Sequence, residues 1–60
     1  MTLSSALKLV RSGGRVKLEH KPLELTQDNG ILYLSIGERR EIVSEKSLRD
    51  LHCRDSWVAA

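Results

Sequence analysis

The dipeptide Asn29-Gly30 constrains this chain more than any other feature. Both residues tolerate a positive φ, which a two-residue loop joining antiparallel strands demands. Leu23 and Leu25 alternate with Glu24 and Thr26 before it, and Leu32, Leu34 and Ile36 alternate with Tyr33 and Ser35 after it. With Asn29-Gly30 as the loop, Asp28 faces Ile31, Gln27 faces Leu32, Leu25 faces Leu34 and Leu23 faces Ile36. That register collects Leu23, Leu25, Leu32, Leu34 and Ile36 on one face and Glu24, Thr26, Tyr33 and Ser35 on the other. A slip of one residue would mix the two sets, so the hydrophobic pattern and the turn chemistry specify the same hairpin.

The flanking segments supply the rest of a layer. Leu3, Ala6, Leu7 and Val10 recur at the spacing of one helical face, and Leu9 widens that stripe. Thr2 suits the N-cap, while Gly13-Gly14 ends the helix by accepting the left-handed backbone beyond its last turn. Lys8 and Arg11 stand near that end, where the helix dipole favours cations. Val16 and Leu18 alternate with Arg15, Lys17 and Glu19 as in a half-buried strand. Pro22 has no N–H to give a ladder and marks a break or an edge. Gly37 begins a second turn with Glu38, Arg39 and Arg40 at its tip, and Ile42-Val43 form the returning strand. A loop of two, three or four residues leaves open which of Ile42 and Val43 points inward. Ser44 caps a short helix with Leu48 and Leu51 on one face, and Ser56-Trp57-Val58 form a terminal strand. The fold class is therefore α+β. An N-terminal helix packs on a small antiparallel sheet of three or four strands, followed by a short C-terminal helix and a last strand.

Size limits what this layer can do. The chain has 60 residues, ten of them Leu and none Phe. A single domain spanning 1–60 of that length buries only about 60% of the surface its unfolded chain exposes. A homo-oligomer or a bound partner is expected to supplement so small a core. Cys53 has no internal partner for a disulfide, which suits a reducing, cytoplasmic setting. The longest apolar run, Ile31-Leu32-Tyr33-Leu34, falls far short of the roughly 18 residues of a membrane span. Ser4, Ser5 and Lys8 interrupt any apolar stretch of the kind a secretory leader carries.

Charge is unevenly placed. Residues 1–22 hold five basic side chains against one acidic, a net +4, and residues 23–60 hold five against seven, a net −2. Arg15, Lys17 and Lys21 are the candidate anchors for an anionic ligand. Trp57 either plugs the core or stacks on a planar ligand beside them. No catalytic set emerges. His52 and Cys53 are adjacent, so they cannot face each other as base and nucleophile, and a pair would need His20. His20, His52 and Cys53 also lack the spacing of a zinc site, so neither a metal nor a cofactor is expected. Ser12-Gly13-Gly14 follows a helix, whereas a phosphate loop precedes one, so it reads as a helix stop. Arg39 and Arg40 at a hairpin tip are similar to the wing of an excisionase-type regulator, where arginines contact DNA phosphates. Glu38 and Glu41 flank them, no helix-turn-helix precedes them, and Tyr33 is the one exposed-face aromatic placed to stack on a base.

The segment from Ala6 to Val16, together with Leu48-Arg49-Asp50-Leu51 and Asp55-Ser56-Trp57-Val58, resembles a family of very small phage proteins. Its members open with a helix, a Gly turn and a strand, and close on an Asp-Trp-x-Val segment. Here one residue separates Asp55 from Trp57, and the stretch Lys17 to Pro22 lacks the family's aromatic. Some members are anti-Thoeris sponges, which sequester cyclic ADP-ribose-type signals between subunits without chemistry. The resemblance implies a non-enzymatic accessory protein of phage or prophage type that binds a host factor or a small anionic nucleotide. The alternative is a small DNA-binding accessory factor using Arg39 and Arg40.

Overall fold

The computed structural model describes residues 1–60. Thr2 opens helix α1 (Leu3–Arg11), its hydroxyl oxygen accepting the N–H of Ser5 at 3.2 Å. At the other end the Gly13 N–H donates to the Val10 carbonyl and the Gly14 N–H to the Leu9 carbonyl, at 3.1 and 2.9 Å. This pair of bonds closes a Schellman turn and satisfies carbonyls that the helix leaves free. Leu9 packs over Gly14 so closely that a Cβ there would lie 2.9 Å from the leucine side chain. Leu3, Ala6, Leu7 and Val10 are all buried, as their spacing requires.

The remaining elements are β1 (Val16–Leu18), β2 (Leu23–Asp28), β3 (Ile31–Ile36), β4 (Arg39–Val43), α2 (Glu45–His52) and β5 (Trp57–Ala59). All five strands join one antiparallel sheet in the order β4-β3-β2-β1-β5. The β2–β3 register pairs Asp28 with Ile31, Leu25 with Leu34 and Leu23 with Ile36, as the turn dictates. Asn29 at φ 51° and Gly30 at φ 79° supply the two left-handed residues of that turn. β1 turns into β2 through Glu19–Pro22, outside the ladder, where the missing proline N–H costs nothing.

Helix α1 lies across β1, β2 and β5 on one face, called inner here. Ser44 caps α2 by accepting the Ser47 N–H at 3.1 Å. Leu48 carries α2 into the same core as Leu7, Val16, Leu25 and Trp57. Arg11 and Glu45 tie the two helices at 2.6 Å. No helix is long and apolar enough to cross a membrane.

Four details differ from the sequence expectations. The sheet has five strands rather than three or four, because the last strand pairs with β1, setting Trp57 opposite Leu18. The second turn consists of Gly37-Glu38 alone, since Ile36 pairs with Arg39, so Arg39 and Arg40 belong to β4 and not to the tip. Gly37 at φ 59° is followed by a residue of negative φ, the pattern of a type II′ turn. Leu51 is 72% exposed, because α2 turns Leu48 and His52 inward instead. Ile36 is on the expected face yet 52% exposed, since the helices stop short of the β3–β4 end.

Candidate functional site on the open face of the sheet

Residues paired directly across an antiparallel ladder share a face. The outer face therefore carries one row running Val58, Lys17, Glu24, Ser35, Arg40 and another running Thr26, Tyr33, Ile42. Arg15 joins them, its guanidinium 3.5 Å from the Glu24 carboxylate. None of these residues is buried, and both helices lie on the opposite side.

Tyr33 and Arg40 are in direct contact on this face. The Arg40 guanidinium lies 3.9 Å from the Tyr33 ring centroid, in cation–π contact. The same guanidinium is 4.0 Å from the Asp28 carboxylate. A flat cation above a flat ring presents a planar, charged surface on which an aromatic base can stack while a phosphate meets the N–H groups. Strand spacing of about 4.8 Å places Lys17 on β1 roughly 14 Å from Arg40 on β4, within reach of one nucleotide-sized ligand when both side chains extend. The Glu24 carboxylate stands between them, and that of Asp28 lies further along β2. Their ion pairs are solvent-exposed and long, worth about 0–1 kcal/mol each, so an incoming anion can displace them at little cost.

The four residues expected to anchor an anion do not assemble. Arg15 and Lys17 share the outer face. Lys21 lies in the β1–β2 connection, lining a separate hollow of about 60 Å³ with Glu19, His20 and Asp55. Trp57 is fully enclosed on the inner face and has no side open for stacking, which corrects its reading as a ligand platform. Its ring plugs the core between β1 and α2, edge-on to His52 at 6.0 Å between centroids. The indole Nε1 has no hydrogen-bond partner there. His52 turns Nδ1 to the Asp55 carboxylate at 2.7 Å, away from Cys53, which is exposed and free.

Arg39 and Arg40 also part company. As neighbours on a strand they point to opposite faces, Arg39 inward beside Ile36 and Arg40 outward beside Ser35. They do not form the two-arginine tip of a wing. Arg40 beside Tyr33 is the pairing that sequence reasoning missed. Its signal was the two-residue turn: with Ile36 opposite Arg39, Arg40 falls diagonal to Tyr33 on the outer face.

No protein-family model matches this chain, and no curated protein or solved structure is significantly similar to it.

Proposed function

We propose that this protein acts by binding rather than by catalysis, and that it takes a small anionic nucleotide on the outer face of its sheet. Arg40 over Tyr33 is the observation that carries this reading. The guanidinium, backed by the tyrosine ring, receives the base, and Lys17 and Arg15 receive phosphate. The rigid sheet beneath holds these groups at fixed spacing, so little ordering entropy is lost on binding. The resemblance to small phage sponges makes a cyclic ADP-ribose-type signal the first ligand to try. The two ends of the chain that carry the resemblance are also neighbours in the fold, since α1 packs against β5.

A thermal-shift titration tests the reading. A ligand at a hundred times its Kd stabilises by about 2.7 kcal/mol. In a domain this small that raises Tm on the order of 10 °C. Millimolar cyclic ADP-ribose or ADP-ribose is expected to give such a rise in the native protein. Arg40→Ala and Tyr33→Ala should each abolish most of it while changing the unliganded stability by no more than about 1 kcal/mol, since neither residue is buried. No rise with the native protein, or an equal rise in both variants, overturns the proposal.

A further inference from the structure

The sheet has two edges, and they are not alike. At β5, only three residues long, Met1 pairs with the outward side of Trp57. The Trp57 N–H donates to the Met1 carbonyl at 3.0 Å, and the Met1 nitrogen donates to the Trp57 carbonyl at 2.6 Å. β4 has five residues and nothing beside it. In a hairpin closed by a two-residue turn, the residues flanking the turn exchange both hydrogen bonds. Arg39, Glu41 and Val43 therefore bond to β3, and the N–H and C=O groups of Arg40 and Ile42 point away from the sheet.

Exposed apolar surface gathers at the same edge. Ile31 and Ile42, 40% and 72% exposed, stand on the outer face of β3–β4, and Ile36, 52% exposed, on the inner. Beside Ile36 is a hollow of about 130 Å³ lined by Leu34, Ile36, Arg39 and Glu41, with no helix residue over it. Charges on an edge strand commonly blunt it against pairing. Here they alternate in sign along the inner face, Arg39 then Glu41, which makes the strand complementary to itself.

We propose that the β4 edge is where a second copy of this chain docks, antiparallel about a two-fold axis at Arg40, with Arg39 of each copy opposite Glu41 of the other. Charge selects this register. An axis at Glu41 sets that carboxylate against itself, and one at Ile42 sets Glu41 against Val43 with no cation. With the axis at Arg40, two opposite-charge pairs form at the closely approaching, non-hydrogen-bonded positions of the new ladder. The methylene stem of each Arg39 lies along the other copy's hollow. Arg40 then faces its own counterpart across the axis. Each guanidinium is already drawn back over Tyr33 and towards Asp28, away from that axis. The result is one continuous ten-stranded sheet.

Sedimentation equilibrium without nucleotide tests this apart from any ligand reading. The native chain is expected at twice its 6.8 kDa mass at high micromolar concentration. Arg39→Glu alone and Glu41→Arg alone should each weaken association on the order of tenfold or more, because each places like charges directly opposite twice. An equimolar mixture of the two variants restores both opposite-charge pairs and should associate as a heterodimer. Both side chains are mostly exposed, so circular dichroism should show each variant folded. A native chain that stays monomeric to 500 µM, or a mixture no more associated than either variant alone, overturns the proposal.

Discussion

Trp57 shows how much a single side chain carries in so small a core. Only ten residues are buried, and Trp57 is the largest of them, so its removal has no neighbour able to fill the gap. Trp57→Ala should cost about 3–5 kcal/mol, a large part of the total stability of a domain this size. Trp57→Phe should cost clearly less. It keeps the aromatic body and gives up no hydrogen bond, since the Nε1 is already unpartnered. Urea unfolding followed by circular dichroism distinguishes the two, and equal losses would contradict the account of Trp57 as a packed plug. The sequence left this tryptophan open between core and ligand because its placement depends on β5 pairing with β1. That contact joins residues about forty positions apart through a three-residue strand. Arg40 and Tyr33 were hidden for a related reason: their contact needs the β3–β4 register, which turns on the length of one loop.

Among the elements, the central hairpin was legible because two independent signals agreed on it. Asn29-Gly30 named the turn, and the leucine alternation named the register. The next hairpin had only Gly37 and an Ile-Val pair, which fit two-, three- and four-residue loops alike. The type II′ turn decides it, sending Ile42 outward and Val43 to the inner face opposite Leu32. Helix α2 was legible at its start, from Ser44, but not in its facing. Eight residues are too few to define a stripe, and Leu48 and Leu51 suit one face as well as Leu48 and His52 do. Such a helix is marginal alone, since isolated helices shorter than about 12–15 residues barely form. It depends on Leu48, the Ser44 cap and the Arg11–Glu45 pair. Ser44→Ala should destabilise α2 by about 1 kcal/mol. If α2 opens locally, amide exchange across Leu48–His52 should quicken roughly fivefold while the β2–β3 amides hold their rate. Equal acceleration throughout would mean that α2 and the sheet open only together.

For the whole molecule, the asymmetry of the two sheet faces is the governing fact. Both helices are committed to the inner face, where they bury Leu7, Val16, Leu25 and Trp57, and no element remains to cover the other. That layering was implicit in the sequence, because one amphipathic helix and one alternating hairpin can shield each other on one side only. Arg15 and Lys17 share the outer face, and the aromatic on that face is Tyr33, whereas Trp57 is enclosed on the inner one. Mapping where the ligand meets the sheet tests the central claim most directly. In a ¹⁵N-labelled titration with cyclic ADP-ribose, the backbone signals of Lys17, Thr26, Tyr33, Ser35 and Arg40 should move together along one saturating curve. Those of Leu7, Val10 and Leu48 should stay in place. Movement centred on Leu34, Ile36 and Arg39, or none at millimolar ligand, would contradict an outer-face site.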